Sequence, residues 1–204
     1  MNRYLALAVA MSFSIGSQAA SMADSIKPFQ YTFVEAQYVD MRNDNLNKKN
    51  TRSSKKASLD GLRINGSFKV HADFNVIGSV FAASDSGYDL TVITMGGAFH
   101  QALPAIDEMP FDFIIRAEIE QVDIDVDIFK GDDSQTGIAI GGGVQLGILH
   151  NIQAFSDVVI SSNDYREFAL SAGARYKFIP NLSGVASIEI GDATSLALGI
   201  RYYF

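Results

Sequence analysis

Twelve charged residues fall at alternating positions along the chain, six of each sign: Glu35, Arg63, Lys69, Asp112, Arg116, Glu118, Glu120, Asp157, Arg175, Lys177, Glu189 and Arg201. In extended chain, residues two apart share a face. The stretch "FDFIIRAEIE" therefore sets Asp112, Arg116, Glu118 and Glu120 against Phe111, Phe113, Ile115, Ala117 and Ile119. Gathered on one face and withdrawn from bulk water, such groups must be paired or solvated. Two kinds of chemistry fit: a static salt-bridged core with trapped water, or a narrow ion path gated by a pair such as Arg116 with a nearby carboxylate.

Catalysis finds little support. The chain has no cysteine and three histidines, His71, His100 and His150. Strand parity assigns all three to short turns at one end, where separate imidazoles make poor general bases. The expectation is a non-enzyme with no cofactor and no metal centre. Two further clusters bear charge. Arg42, Lys48, Lys49, Arg52, Lys55 and Lys56 form a basic stretch, which either pairs with phosphates and anionic polymers or is simply solvated. Asp123, Asp125, Asp127, Asp132 and Asp133 follow "FDFIIRAEIE" closely. Their oxygens suit Ca²⁺ or Mg²⁺, although no EF-hand loop is present, and salt bridges to the basic stretch fit equally well. Asp123, Asp125 and Asp127 have the parity opposite to Arg116, Glu118 and Glu120. That predicts a bulge near Gln121 or a strand leaving its surroundings there. The glycines of "GIAIGGGVQLG" lack the strand-to-helix context of a nucleotide loop and point to close strand packing.

The elements that position these residues begin after a leader. "MNRYLALAVAMSFSIGSQAASMAD" has a basic Arg3, an apolar run to about Ile15 and small residues before Ala19 and Ala23. This is the layout of an export signal cleaved after Ala19 or Ala23, giving a leader over residues 1–23 and one domain over 24–204. The run is short of the roughly 20 apolar residues of a spanning helix, the other reading of such a segment. The formal charge of −7 and a pI of about 4.8 argue against nucleic-acid binding.

Period-2 alternation dominates the rest. "REFALSAGARYKF", "NLSGVASIEI", "GIAIGGGVQLGIL", "LRINGSFKV" and "SLALGIRYYF" each carry apolar residues on one face and small or charged ones on the other. Residues 29–40, 74–83, 89–99 and 152–160 alternate more weakly. The sum is an all-β chain of about ten strands, or eight if 74–83 or 152–160 does not pair. Short connections such as "VHADF", "LHNIQ" and "FIPNLS", with the longer "FHQALPAIDEMPF", alternate with loops such as "SDSGYD", "KGDDSQT", "SSND" and "GDAT". "GVQLGILHNIQA" and "GARYKFIPNLSG" repeat one hairpin pattern. The connections describe an up-and-down antiparallel meander.

A soluble sandwich would bury the apolar faces and a membrane barrel would expose them. The barrel is favoured by aromatics near strand ends (Phe68, Phe99, Tyr176, Phe178, Tyr202 and Phe204), by Gly, Ala and Ser on the charged face, and by the even strand number. With the leader and the terminal "IRYYF", the chain resembles the small outer-membrane β-barrel proteins of Gram-negative bacteria, the porin-like and OmpA/OmpX-type group. The resemblance implies an outer-membrane location, with the short turns periplasmic and the long loops outside. It also implies delivery by periplasmic chaperones and Tyr202 and Phe204 as part of the signal read by the barrel-assembly machinery. Outer-membrane lipids and lipopolysaccharide are the implied surroundings. For activity the group offers structural and surface-interaction proteins, narrow channels and, less readily here, surface enzymes.

Overall fold

The computed structural model describes residues 29–43, 57–85, 88–106, 109–126 and 133–204. The leader, the basic residues Lys48, Lys49, Arg52, Lys55 and Lys56, and Asp127 and Asp132 lie outside the described residues. Alternation of apolar with small or charged residues produces ten strands: β1 (Phe33–Asn43), β2 (Ala57–His71), β3 (Phe74–Asp85), β4 (Tyr88–Ile106), β5 (Met109–Val126), β6 (Asp133–Leu149), β7 (Ile152–Ser161), β8 (Phe168–Ile179), β9 (Leu182–Gly191) and β10 (Ala193–Tyr203). Each pairs antiparallel with the next, and β1 pairs with β10, so the sheet closes as a ten-strand up-and-down barrel. The segments 74–83 and 152–160 both pair, which excludes the eight-strand count.

The apolar face points outward. Leu62, Ile64, Met95, Ile119, Ile138, Ile140, Ile160, Leu198 and Ile200 are all exposed. A continuous apolar belt of this extent is foreign to a water-facing surface and matches the hydrocarbon layer. The fold is a transmembrane barrel rather than a sandwich. Phe68, Phe99, Tyr176, Phe178, Tyr202 and Phe204 also face outward near one rim. Tyr176 meets Phe178, and Tyr202 meets Phe204, edge to face at 5.3 and 5.1 Å. Ile119 is 62% exposed. Placing Arg there is expected to destabilise the barrel folded in lipid by about 2–4 kcal/mol, read from urea unfolding in vesicles.

In β4 and β5 one of the two readings of the Gln121 anomaly fails, and so does the loop expected over "FHQALPAIDEMPF". No bulge occurs near Gln121: the ladders to β4 and β6 run through Gln121, Val122 and Asp123 without a break. The parity of charge changes because the surroundings change. Val122 turns inward into an apolar cluster, and Asp123 and Asp125 face outward beyond the apolar belt. The "FHQALPAIDEMPF" segment is not a loop either. β4 continues to Ile106 and β5 begins at Met109, so the pair projects past the rim as a hairpin. Among the described residues, the four register shifts all sit at hairpins of this same rim: Lys69/His71, Leu103/Ile106, Gly147/Leu149 and Lys177/Ile179. That rim, which also carries Phe33 and Tyr203, is called the turn end below, and the opposite rim the loop end.

Candidate functional site: the lumen

Inward-facing positions fill the barrel with charge. Glu35 and Arg201 are cross-strand partners at the β1–β10 seam, and Arg201 Nε donates to Glu35 Oε2 at 2.6 Å. The second Glu35 oxygen accepts from Asn65 Nδ2 at 2.9 Å. Arg116 lies 3.3 Å from Glu118 and also bonds Asp157, which Ser171 reaches as well. Glu120 accepts from Arg166 at 3.2 Å and from Ser161 at 2.8 Å. Arg166 also pairs with Glu189 at 3.4 Å. Four cations rest on rings, among them Arg201 over Phe33 at 3.6 Å, Arg175 over Phe155 at 4.1 Å and Lys177 over Tyr203 at 5.6 Å. Arg63 lies 5.2 Å from the Phe81 ring centre. Such contacts hold a desolvated cation without neutralising it.

Small residues make room for these side chains. At Gly173 a Cβ would overlap both the Phe155 ring and the Ala186 carbonyl oxygen. Glycine there allows the ring to lie flat beneath Arg175.

The loop end is packed shut. Val39, Met41, Leu59, Phe81, Leu90, Val92 and Val122 form a buried apolar cluster inside the barrel. The connection from β7 to β8 folds inward over it. Asn163 shapes this turn, accepting from the Tyr165 amide on its side chain at 3.1 Å and from the Arg166 amide on its carbonyl at 3.1 Å. Tyr165 joins the cluster and donates its hydroxyl to Met41 Sδ at 3.0 Å. Burial pushes the pKa of that phenol above its ordinary range, so it stays a donor.

At the turn end, the segment before β1 enters the mouth. Phe29 and Tyr31 are buried, and the Tyr31 ring stacks on His100 with centroids 3.5 Å apart. The Tyr31 hydroxyl donates to Asp112. Burial, and then the carboxylate, raise its pKa, so Tyr31 too remains a neutral donor. His100 is thus not at a turn, as parity suggested. Because β4 and β5 run on as a hairpin, it lies within the barrel wall and points inward; His71 and His150 are at the turns. Between the two ends lies a cavity of about 270 Å³, lined by Glu35, Arg63, Arg116, Glu118, Glu120, Arg166, Arg175, Glu189 and Arg201 among others.

The structure therefore places Glu35, Arg63, Lys69, Arg116, Glu118, Glu120, Arg175, Lys177, Glu189 and Arg201 inward, and brings Glu35 to Arg201 and Arg116 to Glu118 and Asp157. Arg166 and Tyr165, which complete the loop-end closure, carry no parity signal because they stand outside the strands, whereas Tyr31 precedes β1 and keeps its inward parity. Among the described residues no three His, Asp or Glu side chains are arranged to hold a metal ion.

No protein-family model and no curated protein matches the sequence. Solved structures similar to the chain include the KdgM porin, at 10% identity and a TM-score of 0.44, over 83% of this chain and 99% of that one. Neisserial surface protein A is 14% identical, with a TM-score of 0.42 over 84% and 96% of the two chains. Ail, the attachment invasion locus protein of Yersinia pestis, is 16% identical, with a TM-score of 0.39 over 86% and 99%. At such identities side-chain roles do not transfer.

Proposed function

We propose that this chain is a non-catalytic β-barrel of the bacterial outer membrane, structural or surface-interacting in role, with a lumen closed at rest. The carrying observation is the buried apolar cluster that lies across the lumen at the loop end, above the charged cavity. Reconstituted into planar bilayers, folded protein is expected to show no steady unitary current. A reproducible unitary current from protein with heat-modifiable gel migration would overturn the closed lumen.

The non-enzyme part of this reading draws support from Asp112. It is engaged by Tyr31 rather than by His100, and the His100 ring is covered by the Tyr31 ring. Outer-membrane lipids and lipopolysaccharide are the partners that the apolar belt and the loop-end charges suit. Tyr202 and Phe204 serve as the assembly signal in this reading, after export, chaperone delivery and loss of the leader.

A gated channel is the second reading, and one observation favours it. One connection folds over the loop-end cluster, and its Arg166 latches to Glu120 and Glu189. A latch on one short loop is one that can be released.

A further inference from the structure

Of the cations inside the barrel, Arg175 is the one whose burial is least compensated. It is 7% exposed, yet no carboxylate among the described residues lies within ion-pair distance. Its Nη1 donates to the neutral Gln145 Oε1 at 3.0 Å, its plane lies on Phe155, and its buried Nε has no hydrogen-bond partner. A guanidinium carries five N–H donors and cannot shed its charge by deprotonation, so a buried one calls for an acceptor.

The carboxylates of this half of the lumen are already committed. Glu35 gives one oxygen to Arg201 and the other to Asn65, and Asp112 accepts from Tyr31. The charges that bear on Arg175 include Arg201, of its own sign, and Glu35. Lys177 is the next inward position on β8 toward the turn end, and Lys69 faces inward near the same rim of β2. The turn-end half thus sets Lys69, Arg175, Lys177 and Arg201 against Glu35 and Asp112. In the loop-end half the balance reverses: Arg63, Arg116 and Arg166 face Glu118, Glu120, Asp157 and Glu189.

We propose that Arg175 is an oxyanion-binding site in the turn-end half of the lumen, taking a carboxylate or phosphate group on its free Nε edge. The geometry is prepared for this. Phe155 fixes the plane of the guanidinium, Gln145 fixes its rotation, and Gly173 leaves space for the ring. A planar fork with one edge unused matches two oxygens of one anion. The cavity of about 270 Å³ that Arg175 lines is several times the ~30 Å³ share of one water molecule. An anion arriving from the turn end meets the ammonium of Lys177 first.

The test titrates the folded full-length barrel in detergent with sodium phosphate and, separately, sodium acetate, against sodium chloride at matched ionic strength, by calorimetry. Saturable binding of at least one oxyanion is expected, and the stronger arm tells phosphate from carboxylate. Arg175→Met should weaken it about tenfold or more, as loss of a charge-assisted pair does. Arg175→Lys, which keeps the charge and loses the fork, should fall between. Lys177→Met should change it less than about threefold, since that side chain contributes only through the field. No saturable oxyanion binding by the wild type, or equal affinity in Arg175→Met, would overturn the site. If Arg175→Met does not fold, Arg175→Lys decides: an unchanged dissociation constant there overturns the proposal equally.

Discussion

Replacing Arg201 with Met is expected to destabilise the folded barrel by about 3–5 kcal/mol, the usual consequence of stranding one member of a buried ion pair. The pair sits at the seam where the last strand meets the first, Glu35 directly opposite Arg201 in the β1–β10 register. Both side chains are almost wholly buried, and the Nε–Oε2 distance is 2.6 Å. Without the guanidinium, Glu35 keeps only Asn65 as a close donor, and the Phe33 ring that Arg201 now covers is bared. The charge then either stays ionised at high cost or takes a proton. Urea unfolding in lipid vesicles measures the loss. The double variant Arg201→Met, Glu35→Gln is expected to regain most of it, because replacing both partners removes the uncompensated charge. A double variant as unstable as the single one would mean that Arg201 acts through its packing on Phe33 and not through Glu35. The same reasoning separates Arg201 from Arg175: only the first is already matched by a carboxylate.

Parity in rigid, closed strands is an almost geometric property, which is why the inward positions of β2, β5, β8, β9 and β10 were legible from sequence. The exterior belt follows from the same alternation. Alternation weakened over 29–40, 74–83, 89–99 and 152–160 for a physical reason that appears only in three dimensions. At the loop end the lumen itself is apolar, so β1, β3 and β4 carry apolar residues on both faces: Val39 and Met41 inside with Tyr38 outside, Phe81 inside with Val80 outside, Val92 inside with Ile93 outside. The Gln121 anomaly has the same origin, since Val122 joins that cluster. In β7, Phe155 lines the cavity while Val158 and Ile160 face outward. Partner identity was not legible at all. Arg116 on β5 reaches Asp157 on β7, skipping a strand whose glycines clear the way, and this depends on how the sheet curls. Arg166 belongs to a connection, where residue spacing says nothing about direction. Sequence spacing misplaces His100 because "FHQALPAIDEMPF" has the composition of a loop while β4 continues to Ile106, which shifts the apparent rim.

Arg166 is the residue whose removal should most change what the barrel does. Its guanidinium stands between Glu120, 0% exposed, and Glu189, and it anchors the inward fold of the β7–β8 connection. Burial opposes its charge, but the two carboxylates more than compensate and hold its pKa above the ordinary value, so no accessible pH unlatches it by deprotonation. Substitution by Ala leaves two carboxylates facing each other without a counter-ion, a repulsion that water entering the lumen relieves. Tyr165→Ala alone is expected to stay silent in planar bilayers, because Val39, Leu59, Leu90 and Val122 still form an apolar constriction that excludes water and ions. Arg166→Ala alone should give brief openings, and the two together a steady current, cation-selective because Glu118, Glu120 and Glu189 then outnumber the cations near the constriction. Adding Glu120→Gln and Glu189→Gln to the Arg166→Ala background should silence it again, since the repulsion that drives hydration is gone. If the Tyr165→Ala, Arg166→Ala protein folds and remains silent, the apolar constriction and the ion pairs below it suffice to block the lumen. The channel reading then fails. A steady current would instead make the connection a lid, and the charge below it a path.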